Sequence, residues 1–273
     1  MKTKIFFILL FVLQGGSVFT QNLSELLIDV DTLFIPGGVP GNLSPINQNV
    51  TPLVSSSPCN VPRYNYSVAT QYQNGKVIAL AHESILSNNS ILSYDNLTFL
   101  INAIDWLNSG SKRISLKQGW INNNNISTLK NTLIADNYSF NTLSGNITNA
   151  SLANTDVLIL GNDWNNTQPY LADELTAINN FVANGGSILI AGLGWSWPKS
   201  LDIYPMNEVA NLFGFEFTTD AIYDAVTNIN GAPKLYNFYP ENLDTTQTPY
   251  CPSPFLGTNF KRGDRSEERR VGK

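Results

Sequence analysis

Histidine is almost missing from this 273-residue chain. His82 is the single imidazole, and there are only two cysteines, Cys59 and Cys251. A zinc site of the H-E-x-x-H type needs two imidazoles one helical turn apart on one metal. The stretch VIALAHESIL (77–86) opens like that motif, but Leu86 stands where the second histidine belongs. Zinc binding by His82 is therefore not expected, and no cofactor is expected in this fragment. A nucleophile on an α/β scaffold would sit on a strand-to-helix elbow with a histidine nearby. The matching elbow, LILGNDW (158–164), holds neither Cys nor Ser. The glycine-rich stretches GGVPG and GLGWSW match neither the G-x-G-x-x-G nor the P-loop pattern, so no nucleotide site is indicated.

Positive charge is also scarce. The chain has 16 Lys+Arg against 21 Asp+Glu; setting aside Lys2 and Lys4 near the start and the last nine residues (four basic, two acidic) leaves 10 against 19, a net charge of −9. An acidic surface without basic clusters repels phosphate backbones, which argues against nucleic-acid partners. Long apolar runs are lacking beyond Ile5–Leu13. That run follows Lys2 and Lys4 and precedes Gly15, Gly16 and Ser17, so residues 1–20 read as a signal peptide and the protein as secreted, with no membrane span after cleavage; an uncleaved anchor is the alternative. The charged run RSEERRVGK (265–273) contrasts with everything before it and reads as the translation of a sequencing adapter. The natural protein is expected to continue past residue 264.

In an exported chain, Cys59 and Cys251 are expected to form a disulfide rather than a metal site, two separate thiols being the alternative. A bridge closing so long a loop is worth about 5 kcal/mol in the loop-entropy model. Asn-x-Ser/Thr, the acceptor pattern for N-glycans, occurs at Asn22, Asn42, Asn49, Asn65, Asn88, Asn96, Asn125, Asn137, Asn146, Asn149 and Asn165. Asn, Ser and Thr are abundant here, so chance alone supplies some of these.

What is present points to an α/β domain. Residues 21–75 are rich in Pro, Asn and Ser and read as an irregular segment packing on the domain or adding short strands. From 76 the pattern changes. KVIALA (76–81), RISLKQGW (113–120), DVLILG (156–161) and SILIAG (187–192) read as buried strands. Between them, helical spacing places Leu97, Leu100, Ile101, Ile104 and Leu107 on one face, with Asp95 as a cap. A weaker helix carries Ile126, Leu129 and Leu133; another runs from Pro169 to Ala183, and a last one spans 206–213. Residues 137–150 read as a loop. Strands alternating with helices predict a three-layer, mostly parallel sheet over 76–260.

Ligands of such sheets bind beyond the carboxyl ends of the strands. Those ends carry His82 and Glu83, then Asn162, Asp163 and Trp164, then Trp195 and Trp197. His82 with Glu83 could serve as a general base and Asp163 as an acid; local hydrogen bonding of His82 is the plainer reading. Trp195, Trp197 and Asn162 could meet a sugar, whereas aromatic packing within the domain is the alternative.

The runs PGGVPG, SVATQYQNGKVIALAHESIL, TFLINAIDWL, ANTDVLILG, FVANGGSILIAGLGWSW and PMNEVANLFGFEF, in that order over about residues 30–215, carry a family resemblance. The chain resembles the flavodoxin-type, class I glutamine-amidotransferase-like domain that precedes an enhancin-like metallopeptidase domain in secreted or surface proteins. The same layout occurs in the transient-receptor-potential-channel-associated factors. The resemblance implies a zinc site in a later domain that is not in this sequence, and an amidotransferase-like domain without the glutamine-hydrolysing cysteine. The expectation is a non-catalytic accessory domain of a glycoprotein- or mucin-directed peptidase, with the missing domains and a glycan as partners. A small hydrolase using His82, Glu83 and Asp163, and a structural cell-surface module, are the rivals.

Overall fold

A computed structural model describes residues 23–57, 62–164, 168–224 and 228–237. The expected signal peptide, Cys59, Cys251, Asn22, Asn165 and the 265–273 run lie outside the described residues. The chain forms β1 (Thr32–Phe34), β2 (Gly41–Pro45), β3 (Thr51–Ser55), β4 (Asn65–Tyr72), β5 (Gly75–Leu80), α1 (Asn96–Leu107), β6 (Arg113–Lys117), α2 (Ser127–Ala135), β7 (Ser139–Leu143), α3 (Asn149–Leu152), β8 (Val157–Gly161), α4 (Ala172–Ala183), β9 (Ser187–Ala191), α5 (Pro205–Leu212), β10 (Phe215–Ala221), β11 (Asn228–Ile229) and β12 (Ala232–Asn237).

The large sheet runs in the order β1-β12-β3-β4-β5-β9-β8-β6-β7, with β11 paired to β12; β2 and β10 form a separate antiparallel pair. From β5 to β7 every pairing is parallel. From β1 to β5 every pairing is antiparallel. The expectation of a mostly parallel sheet is thereby corrected to a mixed α/β sheet. The segment before residue 76, expected to pack irregularly on the domain or to add short strands, contributes β1, β3 and β4 to that sheet. The expected boundary at 75/76 falls inside β5, just past a two-residue hairpin turn at Gln73 and Asn74, since Tyr72 pairs with Gly75.

That hairpin depends on one glycine. A Cβ on Gly75 would stand 2.1 Å from the Gly186 carbonyl oxygen and 2.3 Å from that of Val182. Only a residue without a side chain lets the β4–β5 turn lie on the end of α4. The apolar runs explain the parallel half: every residue of β8 and β9 is buried, as expected of strands covered on both faces. β7 was hidden in sequence because SFNTL has no apolar run; it is the sheet's outermost strand, and Ser139 and Asn141 stay exposed.

Asp95 stands at the N-cap position of α1, as expected, but its side chain makes no cap bond. Its Oδ2 instead accepts from the backbone N–H groups of Asp31 and Thr32, each at 2.9 Å, and the neighbouring Asn96 bonds both the N–H and the C=O of Phe34. The first turn of α1 thus closes the free edge of β1 with side chains. None of the described helices is long and apolar enough to cross a membrane.

In the parallel half the chain passes from β6 outward to β7, then returns across β6 to β8 and continues away to β9. The order reverses between β6 and β8, the place where a sheet of this kind opens a crevice at its carboxyl edge.

Candidate functional site at the carboxyl edge

β5 delivers His82 and Glu83 to this edge. His82 starts a one-turn 3-10 helix, Glu83–Leu86, and its Nδ1 accepts the Ser84 N–H at 3.2 Å. Its carbonyl oxygen accepts from the Tyr66 hydroxyl at 3.3 Å. A neutral imidazole has a single lone pair, and the cap uses it. The ring proton therefore sits on Nε2, which faces Gly38 closely enough that a Cβ there would be 3.1 Å away. Burial lowers the imidazole pKa to about 4, so the ring is neutral at pH 7. A base with its lone pair already engaged is poorly placed to take a proton from a substrate.

Glu83 is buried, with Oε1 accepting the Trp164 indole N–H at 2.6 Å. Oε2 has no hydrogen-bond partner among the described residues. Burial raises the carboxyl pKa, while a backbone bond and the Trp164 bond pull it the other way. Trp164 leads into an aromatic wall: its ring lies 6.0 Å from Trp197, which lies 4.9 Å from Tyr204. Tyr204 accepts the Leu193 N–H at 2.9 Å, and burial holds its hydroxyl well above the usual acidity range.

The sign of the Glu83 contribution follows from its raised pKa. Below about 4.5 the acid is protonated in both states; as pH rises, the unfolded chain ionises first and stability falls until the folded group also ionises. Glu83→Gln keeps a carbonyl acceptor for Trp164 and cannot ionise. This variant is expected to have a higher urea midpoint than the parent at pH 8, with the gap closing toward pH 4.5. Equal midpoints at pH 8 would show that no burial cost exists.

The crevice between β6 and β8 is a cleft of about 130 Å³ lined by Lys117, Gly161, Asn162, Asp163, Tyr170 and Glu174, among others. Each oxygen of Glu174 accepts one backbone N–H: Oε1 from Ile147 at 2.9 Å and Oε2 from Leu171 at 3.1 Å. Lys117 donates to the Gly145 carbonyl. Asn162 is 1% exposed, and its Nδ2 finds no partner among the described residues. Asp163 belongs to this cleft, while Glu83 faces Trp164. A larger depression of about 520 Å³ opens at the opposite end of the sheet, beside the Arg113–Asp156 ion pair.

Trp195 is half-buried and donates its indole N–H to the Val39 carbonyl at 2.9 Å, which ties down the 36–41 loop. Trp197 is 6% exposed, so its faces serve the aromatic wall. The contribution of Tyr204 and Tyr170 was not legible in sequence, because isolated tyrosines in 3-10 and loop segments carry no periodic signal. Among the described residues, no group of three His, Cys, Asp or Glu side chains is gathered to hold a metal.

These features define a mixed α/β domain with no Cys or Ser at its strand-to-helix elbow and an imidazole committed to a cap. The family model TCAF_N, described as "TRPM8, N-terminal domain", matches residues 3–230, and the chain belongs to this family. It is 31% identical over 187 residues to a TRPM8 channel-associated factor homolog of Xenopus laevis, covering 64% of this chain and 18% of that protein. It is 26% identical over 203 residues to TRPM8 channel-associated factor 3 of Mus musculus, covering 71% and 19%. The fold is also similar to "IMPa metallopeptidase in complex with T-antigen", with a TM-score of 0.52 and 16% identity over 72% of this chain and 21% of that one. For IMPa metallopeptidase from Pseudomonas aeruginosa the TM-score is 0.50, at 15% identity, over 71% and 21%. The chain thus spans about a fifth of the length of the proteins it matches.

Proposed function

We propose that this chain is a non-catalytic accessory domain of an exported protein whose missing part is a zinc peptidase acting on glycoproteins or mucins. The observation carrying this reading is the state of His82: one ring nitrogen caps a helix turn, and the strand elbow offers no nucleophile. The likeness in fold to about a fifth of a metallopeptidase solved with T-antigen supports the placement ahead of such a domain. The finer fold reading belongs here too. Right-handed crossovers would place α1 and α2 on one face of the parallel half and α3 and α4 on the other, the layering of a flavodoxin-type, amidotransferase-like domain.

The test is the reading frame beyond residue 264. The continued protein is expected to encode H-E-x-x-H and to cleave an O-glycosylated peptide in a zinc-dependent way, with turnover unchanged by His82→Asn. A stop codon shortly after Asp264 overturns the reading. Loss of turnover in a folded His82→Asn variant would restore the hydrolase that uses His82, Glu83 and Asp163. The names of the relatives favour a second reading, association with a membrane channel. Co-purification of the full-length protein with such a channel, lost when residues 23–237 are removed, would support it.

A further inference from the structure

We infer that the folded protein carries N-linked glycans at Asn137, Asn146 and Asn149, where they cover the open edge of the sheet at β7, and at Asn49, but none at Asn42, Asn65, Asn88, Asn96 or Asn125. The inference rests on the export reading above, through a eukaryotic secretory route.

An N-glycan is joined through Nδ2 of asparagine, and attachment precedes folding. Attachment replaces one of the two Nδ2 hydrogens and adds a sugar beside the nitrogen, so a chain modified where both hydrogens are used, or where the side chain is packed with its nitrogen against a partner, cannot reach this structure. Five acceptor-pattern asparagines are in that position. Asn42 Nδ2 donates to Thr218 Oγ1 at 3.2 Å, and Asn65 Nδ2 to the Leu43 carbonyl at 3.1 Å. Asn88 Nδ2 donates to the Asn124 carbonyl at 2.9 Å and to Ser127 Oγ at 3.0 Å. Asn96 Nδ2 donates to the carbonyls of Phe34 and Ser90 at 2.6 and 2.8 Å, and Asn125 Nδ2 to that of Trp120 at 2.6 Å. All five are buried or half-buried, whereas Asn49, Asn137, Asn146 and Asn149 are exposed. Asn22 and Asn165 lie outside the described residues.

The exposed sites are not scattered. Asn137 lies two residues before β7, Asn146 three residues after it, and Asn149 opens α3. β7 pairs only with β6 among the described strands, so its outer backbone groups face away from the sheet. An open edge is a template for pairing with another chain, and proteins guard it with charge, proline, brevity or a covering element. The sequence SFNTL has no charge and no proline, and five residues is an ordinary strand length. The opposite edge, three-residue β1, is already closed by Asp95 and Asn96. β7 therefore lacks any protein guard among the described residues, and the three acceptors bracket it. At about 3.3 Å per residue the strand spans about 17 Å, a length that sugars at its two ends can screen.

The test uses the full chain with residues 1–20 replaced by a proven cleavable leader, secreted from a eukaryotic cell. Enzymatic deglycosylation in heavy-oxygen water marks each occupied asparagine for mass spectrometry. Occupancy is expected in most molecules at Asn49, Asn137, Asn146 and Asn149, and only at trace level at the other five described sites. Frequent occupancy at Asn65 or Asn96 in folded secreted protein, or none at the three β7 sites, overturns the inference. The chain with its own first twenty residues is run in parallel; if it alone stays unmodified, the export reading fails and the acceptor pattern stands. For the edge role, Asn137→Gln/Asn146→Gln/Asn149→Gln is compared with Asn49→Gln by size exclusion. Self-association of the triple variant alone is expected; equal behaviour of the two overturns the edge role.

Discussion

Asn96→Ala is expected to destabilise the domain by about 4 kcal/mol, the sum for several buried polar groups each losing its partner at about 1–3 kcal/mol. The Asn96 side chain is fully buried and accepts the Phe34 N–H at 3.0 Å while donating to the carbonyls of Phe34 and Ser90. Removing it leaves three backbone groups without these bonds and frees the end of β1 from α1. Such a loss is a large part of the stability of an ordinary domain. Equilibrium unfolding in urea measures it, with Asn49→Ala as an exposed control expected within about 0.5 kcal/mol of the parent. If Asn96→Ala stays within about 1 kcal/mol, β1 is not held by this side chain.

Lowering the pH from 7 to 4 is expected to cost about 3 kcal/mol through His82 alone, the size of a shift from 6.5 to about 4. The sign is set by burial. The folded ring resists protonation and the unfolded ring does not, so the unfolded chain binds more protons between those two values. The stability that depends on a neutral ring is complete above about pH 6.5 and is lost as pH falls toward about 4. His82→Asn preserves an acceptor for Ser84 N–H and cannot titrate in this range. The variant should gain on the parent steadily as the solution is acidified. Glu83 next door changes in the opposite sense, so the comparison is cleanest with Glu83→Gln in both chains. A variant–parent difference that does not change with pH would show that the ring is not held neutral by burial.

The central strands of the parallel half, β5, β8 and β9, were legible because they are buried along nearly their whole length. KVIALA, DVLILG and SILIAG carry unbroken apolar runs, and the structure places β5, β8 and β9 within one or two residues of them. α1 was legible from its spacing, although its buried face turns toward Phe99, Ala103 and Trp106 and leaves Leu97 and Ile101 half-exposed. The antiparallel half was not legible. β1, β3 and β12 are short or interrupted by Pro, and what makes them strands is a neighbour far away in sequence: β12 enters between β1 and β3. Asp95 illustrates the same limit. Its position before an apolar helix is that of a cap, yet its carboxylate serves the backbone of residues 31–32.

At the carboxyl edge, His82, Glu83, Asn162, Asp163, Trp195 and Trp197 could all be named from their places after strands. Their roles could not. Glu83 meets Trp164 across 81 residues of chain, and Asp163 turns to a different cleft.

By itself the sequence determined that this is an α/β domain with buried parallel strands, since apolar runs and helical spacing are local properties. It also determined that His82 has no second imidazole beside it, since a count needs no coordinates. Only the tertiary structure decided that half of the sheet is antiparallel, that the His82 lone pair caps a turn, and which asparagines remain open to modification. The strand pairings and the bonds of Asn42, Asn65 and Asn88 join residues distant along the chain, and local sequence carries no record of the partner; the His82 cap is local, but it forms only because β5 ends there and buries the ring.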